Sequence, residues 1–208
     1  MIELFSSDTP NGKKVSILLE ELDCDYKVTA MDLSKDDQFK TDFKKISPFS
    51  KIPVITDHEN TKSIFESGAI LMYLAEKYNK FYDVKDRNII NQWLMAQMGT
   101  VGPMLGQHHQ FHHYNPGKSK FGEERFFKIA KRIYRELDER LATSKFLAGE
   151  NYTIADIATW PWIARHEWHD IGLKDYKNLS SWYIEISKRE AVIKGYQFIN
   201  KNEFPPQP

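Results

Sequence analysis

At 208 residues the chain suits one large domain or two small ones, and 41% hydrophobic with 28% charged residues excludes a disordered chain. Lysine plus arginine and aspartate plus glutamate both total 29, so no net positive field drives binding to nucleic acid or an anionic membrane. The single cysteine, Cys24, excludes an internal disulfide framework and a cysteine-rich zinc module, and a lone thiol suits a reducing compartment.

The first third alternates strands and helices. Residues 2–5 are a short strand candidate. Residues 10–22 are predicted helical, with Val15, Leu18, Leu19 and Leu22 at i, i+3, i+4 and i+7. Thr9 is a good N-cap, and Pro10 falls at the first helical position, where a missing N–H costs nothing. Residues 26–32 alternate as a second strand. A short helix over 38–45 is broken by Ser47-Pro48. Residues 53–56 and 62–65 are further strands, and 67–78 is a helix with Ile70, Tyr73 and Leu74 on one face. This order makes a small α/β layer.

The pattern changes after Tyr78. Residues 79–86 are polar and aperiodic and read as a linker, which sets domains at 1–79 and 87–208. No strand is predicted beyond it. Residues 87–98 are helical, and Gly99, Gly102, Pro103 and Gly106 are expected to weaken or kink the continuation. Phe126, Ile129, Ala130, Ile133, Leu137 and Leu141 form a long apolar stripe. Thr153-Ile154-Ala155-Asp156 resembles a capping box with Asp in the Glu/Gln position. Two short helices over 178–188 and 191–200 precede a proline-rich end that cannot extend a helix. The fold class is an α/β domain followed by an all-α domain. No apolar run approaches the ~18 residues of a membrane span, and Met1-Ile2-Glu3 does not open a signal peptide, so a cytoplasmic protein is expected.

Three places in the first domain offer one site. At Thr9-Pro10-Asn11-Gly12 a strand gives way to a helix whose free N–H groups and dipole favour an anion such as a thiolate. The competing reading makes Thr9 a cap and Asn11 a first-turn residue. In Ser47-Pro48-Phe49-Ser50-Lys51-Ile52-Pro53-Val54, a cis Ile52–Pro53 bond would leave backbone groups for an extended peptide, and a trans proline at a strand edge is the alternative. In Phe65-Glu66-Ser67-Gly68-Ala69, Ser67 is expected to cap a helix whose N-terminus receives a carboxylate, with Glu66 holding an ammonium beside it. Together they suit an amino-acid head group, against plain capping.

Taken together, Thr-Pro-Asn-Gly at the first helix, Ser-Pro-x-x-Lys-Ile-Pro-Val and Phe-Glu-Ser-Gly-Ala-Ile-Leu-x-Tyr-Leu-Ala resemble the thioredoxin-like domain of glutathione transferases. Gly102-Pro103-Met104-Leu105-Gly106-Gln107 and the run from Gly149 to Asp156 look like the family's helical domain. The Thr-Pro-Asn and Gly-Pro-Met-Leu-Gly-Gln runs resemble the nu-class subset, which acts as glutathione-dependent disulfide-bond oxidoreductases. The resemblance implies that Ile52 pairs its backbone with the cysteinyl unit of glutathione beside a cis Pro53. Glu66 and Ser67 hold the γ-glutamyl end, and Lys51 and Gln38 reach the glycyl carboxylate or nearby backbone. Thr9 and Asn11 face the sulfur, and Arg125 matches the position that helps with a second glutathione. A homodimer acting on small thiol and disulfide substrates is implied as well.

The helix start lacks a Cys-x-x-Cys pair and Cys24 falls after that helix, so the sulfur chemistry is expected to come from glutathione. Phe5 removes a candidate tyrosine, and Ser6 and Ser7 stay rivals to Thr9. His108, His109, His112 and His113 include two i, i+4 pairs, a spacing that can bind zinc. No carboxylate or thiol stands beside them in sequence, so no metal is expected, and they read as lining a cleft between the domains with Phe111 and Tyr114. His166-Glu167-Trp168-His169 has the wrong spacing for a metalloprotease motif. The expected reaction is reduction of small or mixed disulfides by two glutathione thiols. The alternatives are a transferase conjugating electrophiles and a non-catalytic glutathione-binding regulatory protein of the same fold.

Overall fold

Ile2 and Leu4 alternate with partly exposed neighbours, so β1 (Ile2–Ser6) buries one face. It is central in a four-stranded sheet of order β2-β1-β3-β4. It runs parallel to β2 (Tyr26–Ala30) and antiparallel to β3 (Val54–Asp57), which pairs antiparallel with β4 (Lys62–Phe65). Two helices, α1 (Pro10–Glu21) and α3 (Ser67–Tyr78), bury Val15, Leu18, Leu19, Ile70, Leu71 and Leu74 completely. The computed structural model describes all 208 residues, and no helix in it is long and apolar enough to cross a membrane.

The chain forms two units: Met1–Tyr82 with Lys188–Pro205, and Asp83–Ser187 with Pro206–Pro208. A boundary at residues 79 to 87 would leave the last helix with the second unit, whereas α9 (Glu190–Tyr196) packs on α1. The reason is close backbone approach. A Cβ at Gly195 would lie 2.5 Å from the Ile17 Cα. The Ser16 hydroxyl donates to the Gly195 carbonyl at 2.6 Å, and Arg189 donates twice to Glu21 at 2.5 and 2.7 Å. Fully buried Lys13 meets Asp8 at 2.9 Å and Glu203 at 2.7 Å, with its ammonium 3.4 Å from the centre of the Tyr196 ring.

The expected helix over 38–45 is divided. A 3-10 turn spans Asp37–Phe39, and α2 (Thr41–Ile46) follows with Phe43 buried.

In the second unit, α4 (Arg87–Ala96) loses its regular α-helical pattern just before Gly99, as the glycines implied. It runs through a π-turn, Gln97–Val101, into α5 (Gly102–His109), and a second π-turn, Gln110–Tyr114, follows. Pro103 sits in the first turn of α5, directly after the π-turn. The apolar stripe becomes α6 (Lys120–Leu141), followed by α7 (Ile154–Ile163) and α8 (Lys177–Ser187). The capping box is present with Asp156 closing it. Asp156 also accepts from the Leu147 N–H and the Trp182 indole, both at 2.9 Å. Burial raises its carboxyl to about 6 against these donors. Trp160 stacks on Tyr183 at 5.1 Å and donates to that residue's carbonyl at 3.1 Å, filling the core.

Candidate functional site

Six of the residues singled out in sequence, Asn11, Lys51, Ile52, Pro53, Glu66 and Ser67, line one cavity of about 130 Å³ in the first unit. The Ile52–Pro53 peptide is cis, which decides between the two conformations open in sequence. The loop before it is tied by Ser47, whose hydroxyl donates to the Lys51 carbonyl at 2.7 Å and accepts from its N–H at 3.0 Å. Phe49, on the same loop, also lines the cavity and is exposed.

Thr9 is the N-cap of α1 in extended conformation, with its Oγ1 accepting the Gly12 N–H at 3.1 Å. Capping uses a lone pair and leaves the hydroxyl proton as a donor, so the capping and sulfur-facing readings are compatible. Thr9 does not itself line the cavity; Asn11, two residues on, does. Its rival Ser6 is fully buried and donates to the Ser7 carbonyl. A Cβ at Gly12 would stand 2.3 Å from the Ser6 Oγ, so Ser6 packs beneath the helix start.

Ser67 is the first residue of α3 and not its cap. Glu66 holds the N-cap position with φ 71° and no capping side-chain bond. Left-handed φ in a non-glycine residue is a local strain typical of ligand sites. With no side-chain cap from Glu66, the positive end of α3 favours an incoming carboxylate.

Lys14 was not among the residues read from sequence. It is 1% exposed, and its ammonium lies 3.3 Å from the Ser67 hydroxyl oxygen. Burial pulls it down to about 7, opposed by the Glu66 carboxylate. The stripe at 15, 18, 19 and 22 marks one face of α1, whereas every residue from Gly12 to Leu19 is buried. The available signal was a pair of adjacent lysines inside an otherwise apolar helix.

The other residues are not among those that line the cavity. Gln38 sits in the Asp37–Phe39 turn with its Oε1 buried and unbonded, and does not line the cavity. Arg125 is exposed on α6 of the second unit. Cys24 is half-buried after α1, and burial pushes its thiol up, away from the reactive thiolate. His108 and His109 are buried inside the helical unit, not presented as a lining, with His109 stacked on His169 at 4.7 Å.

Family models for the glutathione S-transferase N-terminal and C-terminal domains match residues 2–76 and 104–190. The chain belongs to the glutathione S-transferase family. It is 43% identical over 199 residues to the disulfide-bond oxidoreductase YfcG of Escherichia coli K12, covering 92% of this chain and 93% of that one. A glutathione transferase homologue from Lodderomyces elongisporus, solved with two glutathiones per subunit, superposes with TM-score 0.90 at 32% identity, covering 95% and 98% of the two chains. A glutathione transferase from Pseudomonas putida, with one glutathione disulfide per subunit, gives TM-score 0.88 at 34% identity, covering 96% and 92%. The first unit is therefore the thioredoxin-like domain of a transferase-family enzyme and the second its helical domain.

Proposed function

We propose that the protein is a glutathione-dependent disulfide-bond oxidoreductase that reduces small or mixed disulfides with two glutathione thiols. The observation that carries this is the convergence of Asn11, Lys51, Ile52, Pro53, Glu66 and Ser67 on one cavity of a thioredoxin-like unit whose helix start holds no cysteine. A fold that presents peptide-binding backbone without its own dithiol must take sulfur from its substrate. The binding of two glutathiones, or of their disulfide, by transferases of this fold supports the same reading.

Ile52 pairs with the cysteinyl backbone next to Pro53. Glu66 takes the γ-glutamyl ammonium, and Ser67 with the α3 N-terminus takes its carboxylate. Lys51 and Gln38 serve the glycyl end, and Arg125 serves the second glutathione. Thr9 donates its hydroxyl and Asn11 its amide to the sulfur at the positive end of α1, which favours thiolate. The thiolate attacks one sulfur of the disulfide, forming a mixed disulfide and expelling a thiolate that takes up a proton. The second glutathione thiolate attacks the glutathione sulfur of that mixed disulfide, yielding glutathione disulfide and a second thiolate, which is protonated in turn. Two glutathione thiols lose two electrons and two protons, and the substrate disulfide gains both.

The enzyme works as a cytoplasmic homodimer, where a reduced glutathione pool supplies the reaction. The test is turnover on a dialkyl disulfide against conjugation of an aromatic halide, with calorimetric counting of glutathione. Faster disulfide turnover and two glutathiones per chain support the proposal. Faster conjugation with one glutathione per chain overturns it in favour of a conjugating transferase.

A further inference from the structure

The helical unit gathers histidines that the glutathione chemistry does not use. His108 lies in the last turn of α5 and His112 follows four residues later in the π-turn Gln110–Tyr114, which puts both imidazoles on one side of the helical path. Their rings stack at 4.8 Å between centroids. The turn after α7 brings a carboxylate to them. Asp170, held at φ 51°, places Oδ2 3.0 Å from the His112 Nε2. One potential ligand atom from each of His108, His112 and Asp170 lies within 4.8 Å of the others. The carboxylate missing beside the histidines in sequence is thus supplied by a distant turn.

A second observation points to a ligand. His108 is fully buried, and neither ring nitrogen makes a hydrogen bond. The His169 backbone acts on the ring without meeting hydrogen-bond geometry. Buried polar atoms are nearly always paired, so an imidazole with two orphaned nitrogens beside a second imidazole and a carboxylate needs an explanation. We propose that His108, His112 and Asp170 form a binding site for a borderline divalent transition-metal ion, zinc(II) being the best match.

Two neutral imidazoles and one carboxylate are the donor set that zinc accepts with a water in its fourth position. Tetrahedral coordination at about 2.0–2.1 Å needs ligand atoms about 3.3 Å apart. The atoms lie within 4.8 Å of one another, and His112 and Asp170, whose side chains are 35% and 50% exposed, are the members with room to turn toward the buried His108. The surroundings hold the ligands in register. Phe127 stacks on His108 at 5.6 Å and on His112 at 5.9 Å. His113 donates its Nε2–H to the Trp168 carbonyl of the same turn and lies 3.8 Å from Asp170, a position that supports the carboxylate from outside the coordination shell. His169 and His109 stack behind, with the His169 Nδ1 2.6 Å from the Tyr134 hydroxyl.

The experiment titrates cobalt(II) chloride, then zinc(II) chloride, into the untagged, chelator-treated full chain. Visible absorption and calorimetry follow uptake, and circular dichroism confirms the fold. The expected result is one ion per chain, the intense visible band of four-coordinate cobalt, and its loss on adding zinc. Asp170→Asn and His112→Gln, both at partly exposed positions, are each expected to weaken binding by at least about tenfold to a hundredfold, the range known for outer-shell partners alone. Cys24→Ser is expected to leave binding unchanged. Absence of saturable uptake overturns the site, as does uptake that survives both ligand variants or disappears with Cys24→Ser. None of these readouts depends on glutathione turnover.

Discussion

Lys14→Met tests how the cavity is built. The wild-type ammonium is fully enclosed, and its folded value near 7 stands well below the ordinary 10.5. At 1.36 kcal/mol per pKa unit the difference corresponds to about 5 kcal/mol of penalty for keeping this lysine charged in the folded state. The sign follows from proton counting. Between pH 7 and 10.5 the unfolded chain holds a proton on Lys14 that the folded chain has released, so wild-type stability rises with pH there. The full penalty applies below pH 7, and it vanishes above 10.5. Methionine fills similar volume without the charge, but the Ser67 hydroxyl loses the partner now 3.3 Å away. Offsetting about 1–3 kcal/mol for that leaves a net gain of about 2–4 kcal/mol at pH 7.

Urea unfolding of wild type and variant at half-unit steps from pH 6.5 to 10.5 measures this. The stability difference between them should shrink by about 1.4 kcal/mol per pH unit above 7. Glutathione binding should respond oppositely, because a carboxylate arriving at Ser67 favours protonated Lys14. Wild type should take up a proton on binding at pH 8, seen by calorimetry in buffers of different ionisation heat. The variant should not, and its KM for glutathione should rise about tenfold. Parallel stability curves for the two proteins would refute the reasoning.

Thr9→Ala and Asn11→Ala should each lower disulfide turnover by roughly tenfold to a hundredfold, since a hydrogen bond to a charged sulfur contributes about 1.5–3 kcal/mol. Thr9→Ala should also cost about 1 kcal/mol in denaturation as a lost cap, because the Gly12 N–H loses its 3.1 Å acceptor. Wild-type turnover in both folded variants would reduce these residues to structure. Cys24→Ala should keep most reductase activity, and steady-state assay showing its loss in a folded protein would contradict chemistry carried by glutathione alone. Asp156→Asn should destabilise by about 3 kcal/mol in urea melts, because one carboxylate oxygen serving the Leu147 or Thr153 donors becomes an N–H₂ facing them.

Where a segment's neighbours are set by its own pattern, the chain was readable. The strand Lys62–Phe65 and the helix Ser67–Tyr78 fall on the predicted residues, and the Thr153 box closes with Asp156 as its spacing implied. The glycines and Pro103 mark where the regular α-helix gives way to a π-turn, but their local tendency does not show the packing behind it. Gly102 packs against Gln97 and Trp162, where a Cβ would meet side-chain atoms at 2.8 and 3.3 Å, and the π-turn accommodates the approach without ending the helical path. The place of α9 was hidden for a related reason. Gly195 reads as a weak helix residue, and only its contact with the Ile17 backbone explains it.

Lys14 escaped the sequence for a physical cause. An apolar period reports which face of a helix is covered first, and is silent when a second element covers the opposite face. With α3 and α9 both against it, α1 has no solvated face from Gly12 to Leu19, and a lysine there is held at a cost to stability. The ion pairs explain that cost for Lys13, whose ammonium meets two carboxylates. Near Lys14 stand a hydroxyl and a carboxylate on the rim of the cavity, Ser67 and Glu66. A cation retained there, with its charge disfavoured until an anion arrives, makes carboxylate binding and protonation one event. That coupling, more than any single contact, is what the pH dependence of glutathione binding should report.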